Sequence, residues 1–275
     1  MITALKVKVP ENDEGINKII NKLKRDKIES EIKRARGVSV RHITYTSYSG
    51  KIKLEKADRI IGEQRSQLLC DKNISFPTES GYRRFDSIEF SSRLCTNMAL
   101  CVLMEYESPE KLKIGIYDKN GSNASFLFNV LEYCSNVAVV TQNVGEYRAV
   151  LDKALDELGA SAVITENISE LENCNFVIAP QVIEEKLPLK EDALVLTTGC
   201  PKVHNDGMLY YKYHFRMPNG FDMIKPDSFD EEYFCSALYT LASQYELGSI
   251  VPLVCRNYGS SQTVKSLCAY VKRFA

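Results

Sequence analysis

The 275-residue chain has few histidines, no paired metal-binding cysteines, no excess of one charge and no long apolar run. Three histidines, His42, His204 and His214, leave little imidazole for general acid-base chemistry. Nine cysteines are scattered with no Cys-x-x-C pair, which removes the usual zinc spacing, so no metal site is expected. They are expected to be reduced and mostly buried, with Cys95, Cys101, Cys134, Cys235 and Cys268 inside helix-like apolar patterns. Thirty-five basic side chains nearly cancel thirty-six acidic ones, so no global field draws the protein to nucleic acid or to an anionic membrane. No stretch approaches the roughly 18 to 20 apolar residues of a membrane span. The opening MITALKVKVPENDEG lacks an apolar region of secretory length, which predicts a cytoplasmic protein.

What is present describes an ordinary globular chain, 44% apolar and 26% charged. Its length predicts two units: residues 1–108 as an N-terminal α/β domain and residues 109–275 as a Rossmann-like domain with C-terminal helices. In the first, Ala4 to Val9 alternates like a strand, and a helix carrying Ile16, Ile19, Ile20 and Leu23 follows. Val38 to Thr46 predicts a second strand with a Ser49-Gly50 turn, and Leu54 to Gly62 a short helix ending at its glycine. The stretch SFPTESGYRRF, Ser75 to Phe85, reads as an irregular loop before Asp86-Ser87 caps a helix from Ile88 to about Met104. Ser108-Pro109 breaks that helix and marks the expected boundary.

Beyond the boundary the pattern becomes regular. Short apolar runs at Lys113 to Tyr117, Val137 to Thr141, Ala162 to Thr165, Phe176 to Ala179 and Ala193 to Thr197 are of the kind found in sheets covered on both faces. Helices are expected at Ser122 to Cys134 and at Glu146 to Leu158, the latter closed by Gly159. Leu209 to Arg216, with Tyr210, Tyr211, Tyr213 and His214, reads as an aromatic edge strand. Ser228 and Glu231 form a capping-box pattern for a helix to Tyr245, and a last helix covers about Thr263 to Phe274. The fold class is therefore α/β, with a Rossmann-like parallel sheet in the C-terminal half and a smaller N-terminal α/β domain.

The segment NCNFVIAPQVIEEKLPLKEDALVLTTG, Asn173 to Gly199, resembles the later half of NAD(P)-binding domains such as those of shikimate dehydrogenase and methylenetetrahydrofolate dehydrogenase. Lys111 to Thr141 resembles their first β-α-β unit. The resemblance implies an NAD or NADP site, yet the residues depart from it. A dinucleotide fingerprint is G-x-G-x-x-G, which lets backbone approach a pyrophosphate. Here the turn YDKNGSNAS holds one glycine, Gly121, and Asp118 places a carboxylate near the phosphate position. The second strand ends Val140-Thr141-Gln142-Asn143, with no acid for a ribose and no arginine before Arg148 for a 2′-phosphate.

Ligands of open parallel sheets bind beyond the carboxyl ends of the strands, which nominates Asn120, Gly121, Ser122, Asn123, Thr141, Gln142 and Gly199 as ligand-binding candidates. The same residue types also form turns and caps. Asp118 to Ser122 resembles the D-x-D-G-T start of haloacid dehalogenase-type phosphatases, but Asn120 stands where the second carboxylate would be. Arg83 and Arg84, with Arg65 and Arg93, offer planar donors for an anion, or else a solvated charged loop. Cys200 follows Gly199, with His204 as the nearest base in sequence. No residue can be assigned a catalytic role. Two functions stay open: a Rossmann-like module binding a small molecule in a crevice between its two domains, and an NAD(P)-dependent oxidoreductase.

Overall fold

The computed structural model describes residues 1–10, 24–48, 52–242 and 251–274. The expected helix through Ile16 and Leu23 and the Ser49-Gly50 turn lie outside the described residues. By internal packing the chain divides into two units, Met1–Ser87 with Met217–Glu246, and Ile88–Arg216 with Leu247–Ala275.

In the first unit, β1 (Ile2–Lys8) runs parallel to β3 (Val38–Thr46) on one side and to β4 (Leu69–Cys70) on the other. A further strand, β2 (Lys27–Ala35), pairs antiparallel with β3 and gives the order β2-β3-β1-β4. Its sequence KIESEIKRA is mostly charged and exposed, as suits a sheet edge, and carries too little apolar alternation to announce a strand. Arg36 and Gly37 make the tight return with φ of 47° and 80°. Helix α1 (Leu54–Ile61) ends at Gly62, φ 61°, and its Ala57 and Ile61 pack with Leu5, Ile43, Tyr45 and Leu68. The loop Ser75 to Phe85 is irregular apart from one 3-10 turn at Thr78–Ser80 and a bridge that pairs Arg84 in parallel with Leu68.

The second unit opens with α2 (Ile88–Glu105), whose buried residues include Leu94, Cys95 and Met98. It packs against β8 (Phe176–Ala179) and β9 (Leu194–Thr197), and so groups with this unit although it precedes Ser108-Pro109. With β5 (Ile114–Tyr117), β6 (Val137–Val140), β7 (Val163–Thr165) and β10 (Met208–Tyr210) these strands form a six-stranded parallel sheet, ordered β10-β9-β8-β5-β6-β7. Every residue of β5, β6, β8 and β9 is buried, which explains their continuous apolar sequences. This is a Rossmann-like α/β fold: the chain builds outward from β5 through β6 to β7, then returns and builds outward from β8 to β10.

Three expectations are corrected. The helix after β5, α3, covers only Phe126–Leu131, because the preceding residues are drawn into a turn around Asp118. Helix α4 (Val144–Leu158), by contrast, ends at left-handed Gly159 as expected. Leu209 to Arg216 is not one edge strand: β10 closes the parallel sheet and β11 (Lys212–Phe215) joins a separate antiparallel sheet with β12 (Pro252–Arg256) and β13 (Ser261–Thr263). The break falls at Tyr211, whose amide bonds Arg256 O and whose carbonyl accepts the Gly199 amide. In the first unit, helix α5 (Glu231–Ala242) is capped by Asp230 rather than Ser228, with the Tyr233 amide donating to Asp230 Oδ1 at 2.6 Å. The last helix, α6 (Val264–Val271), is capped by Thr263, which accepts from the Ser266 amide.

Candidate functional site

The order of the parallel sheet reverses between β5 and β8, which pair through Ile114 and Phe176, Gly115 and Val177, and Ile116 and Ile178. Loops leaving adjacent strands toward opposite sides open a crevice at their carboxyl ends. One of about 350 Å³ stands there, lined by Asn120, Ser122 and Asn123 after β5 and by Pro180 and Gln181 after β8. The first turns of α2 add Ile88, Glu89, Ser92 and Arg93. Ser92 Oγ donates to Pro180 O at 2.5 Å and Cys95 Sγ contacts Ala179 O at 3.9 Å, so α2 is pinned to the end of β8. Arg93 supplies the lining with a cation and Glu89 with an anion, beside three side-chain amides. Such a surface suits a small polar ligand with several hydrogen-bonding groups.

The turn after β5 is organised by Asp118, whose side chain is wholly buried. Its Oδ2 accepts the Asn123 amide at 2.7 Å and the Tyr147 hydroxyl at 2.9 Å. Its Oδ1 is buried without a partner among the described residues. Burial, with the neighbouring Asp118 carboxylate, pushes the Tyr147 phenol well above its ordinary range, so Tyr147 stays a donor. Gly121 takes φ +73°, and a side-chain carbon there would stand 2.8 Å from Asn143 Cβ. Nearby, Glu185 Oε1 accepts from Tyr117 at 2.6 Å and from Lys119 at 3.0 Å, and those two bonds hold its carboxyl below the usual range.

Of the candidates read from sequence, Asn120, Ser122 and Asn123 line the crevice, and Gly121 shapes the turn that carries them. Thr141 is buried and accepts the Asn143 amide at 3.1 Å; the Gln142 amide bonds Lys119 O at 3.0 Å. Neither is part of the crevice lining, nor is Gly199, whose amide bonds Tyr211 O. Sequence reasoning missed Glu89 and Ser92, which an apolar helix pattern did not single out, and the pairing of Asp118 with Tyr147 across two elements. Of the four arginines, Arg93 lines this crevice, Arg65 packs under Gly81, Arg83 is exposed and Arg84 lies over Tyr233. Cys200 is exposed and its Sγ meets Tyr258 Oη at 3.5 Å; no hydrogen bond joins it to His204 among the described residues.

The turn does not fit a dinucleotide pyrophosphate. The Asn123 amide, which would face a phosphate, is already bonded to a buried carboxylate, and α3 is too short to present a strong helix terminus. Thr141-Gln142-Asn143 at the end of β6 offers no acid for a ribose. Among the described residues no group of three His, Cys, Asp or Glu side chains is placed to hold a metal ion, and no helix is long and apolar enough to cross a membrane.

The strand order and the switch-point crevice place the chain in the Rossmann-like class of α/β proteins. No family model matches the chain, and no curated protein matches its sequence. A similar solved structure is the Delta(1)-pyrroline-2-carboxylate reductase of Thermococcus litoralis in complex with NADH and L-proline, at 17% identity and a TM-score of 0.29. The likeness covers 44% of this chain and 41% of that one, and at that level it carries no assignment of activity.

Proposed function

We propose that this protein binds a small polar molecule in the crevice between the carboxyl ends of β5 and β8, held by Asn120, Ser122, Asn123, Gln181 and Arg93. The observation that supports this over the dinucleotide reading is the buried Asp118 carboxylate, which accepts the Asn123 amide at 2.7 Å. A carboxylate in that position repels a pyrophosphate and consumes a donor the pyrophosphate needs. The ligand is therefore a compact molecule contacted by side-chain amides and hydroxyls. Arg93, the cation of the lining, takes a carboxylate or other anionic group of that ligand.

The NAD(P)-dependent oxidoreductase reading is favoured by one feature, the Rossmann strand order, and fold alone does not establish function. Thermal unfolding with NAD, NADP, ATP and a panel of small sugars, amino acids and hydroxy acids separates the two, since a ligand of the folded state raises the midpoint by mass action. The expected result is no rise with any nucleotide and a rise with a small polar compound that Gln181→Ala abolishes. A rise with NAD or NADP overturns the proposal and restores the oxidoreductase reading.

A further inference from the structure

Arg84 sits in a second cavity, of about 590 Å³, within the first unit. Its guanidinium carbon stands 4.1 Å from the centroid of the Tyr233 ring, and its Nε donates to Cys70 O at 2.9 Å. Tyr233 is itself fixed at both ends. Its hydroxyl donates to Phe85 O at 3.1 Å and accepts the Cys70 amide at 3.3 Å, while its ring meets Phe229 edge-on at 5.5 Å. The plane of the guanidinium is thereby set, and the edge bearing its two terminal nitrogens forms no ion pair among the described residues. An arginine ordered by stacking and a backbone bond has already lost the side-chain freedom that binding would otherwise cost.

The surroundings supply the rest of a site. Cys70 ends β4 and Val7 lies near the end of the parallel neighbour β1, so Asp71, Lys72 and Asn73 leave the carboxyl edge of a parallel pair and line the cavity. Of the two lining acids, Asp230 is committed to capping α5 through the Tyr233 amide at 2.6 Å. Asp71 forms no ion pair with Arg84, and no carboxylate among the described residues neutralises that guanidinium.

We infer that this cavity is an oxyanion site: Arg84 presents a two-pronged donor edge to two coplanar oxygens of a small ligand, and Lys72 and Asn73 close on the same group. Carboxylates and phosphates share that chemistry. The site is separate from the crevice at β5 and β8 and does not depend on the reading given to it.

The full-length, nitrogen-15-labelled protein is titrated at constant ionic strength with inorganic phosphate and, separately, with succinate, following the arginine Nε–H signals and the Lys72 and Asn73 amides. Saturable shifts of the Arg84 signal with either probe are expected; phosphate alone identifies a phosphate-bearing ligand, succinate alone a carboxylate. Arg84→Lys keeps the charge but loses the fork, and should weaken binding about tenfold or more. Arg83→Lys, at an exposed neighbour, should leave it unchanged. No saturable shift with either probe, or equal binding by a folded Arg84→Lys protein, overturns the inference.

Discussion

The Tyr147 hydroxyl donates to Asp118 Oδ2 at 2.9 Å, tying α4 to the carboxyl end of β5 through two buried side chains. The bond holds in place the same oxygen that organises the turn at the crevice. Removing the donor leaves a buried carboxylate oxygen with one partner fewer, and unsatisfied buried groups cost about 1–3 kcal/mol. Tyr147→Phe is therefore expected to destabilise the protein by about that amount, read from the urea midpoint. A change under a few tenths of a kcal/mol would mean that water replaces the hydroxyl and the turn does not depend on it.

Gly121 and Gly159 both adopt left-handed backbone, with φ +73° and +65°, but differ in their surroundings. Nothing lies within 4 Å of a side-chain carbon at Gly159, whereas one at Gly121 would stand 2.8 Å from Asn143 Cβ. Gly159→Ala should show the backbone penalty alone, about 1–2 kcal/mol. Gly121→Ala should cost more, and Asn143→Gly in the same chain should recover the excess, because it removes the clashing atom. A double-mutant cycle in urea reads the coupling; additive effects would show that the turn shifts instead.

These two residues also show how far the sequence could be read. Gly159 was legible because a periodic helix ended at it, and β5, β6, β8 and β9 because buried parallel strands write themselves as unbroken apolar runs. The strand β2 was not, since an edge strand needs charge more than apolar alternation. Asn120, Ser122 and Asn123, nominated by position on the sheet, line the crevice, while Thr141, Gln142 and Gly199, nominated by the same rule, follow strands other than the pair at the reversal. Asp118 read as a charge that repels phosphate; that it is the acceptor holding its own turn depends on Tyr147, which no local pattern connects to it.

The cysteines divide by exposure. Cys70 and Cys174 are raised to about 11 and Cys95, Cys235 and Cys255 to about 12, each chiefly by burial, which keeps them as unreactive thiols. Cys200 is exposed, and Cys101 and Cys268 are half-buried. Brief maleimide treatment of the native protein should label Cys200 first, as mass spectrometry of its peptides would show, and Cys200→Ser should remove the fast phase. Rapid labelling of Cys95 or Cys235 would mean that the helices carrying them open readily.

His42 sets the direction of the pH dependence in the first unit. Its Nε2 lies 2.9 Å from Ile224 O, so that nitrogen carries the proton and donates. Burial lowers its pKa from 6.5; the Ile224 carbonyl opposes the shift, Lys33 adds to it, and Glu31 and Asp227 oppose it. The unfolded chain thus takes up the proton at a higher pH than the fold does. The contribution is complete above the unfolded value of 6.5 and is lost as pH falls through the lower folded value. Between about pH 7.5 and about pH 5.5 the thermal midpoint of the wild type should therefore fall. His42→Gln can still donate to the carbonyl but has no proton to gain, so its midpoint should fall less over the same interval. A steeper fall in the variant would reverse the sign and show that the Ile224 carbonyl, Glu31 and Asp227 outweigh burial.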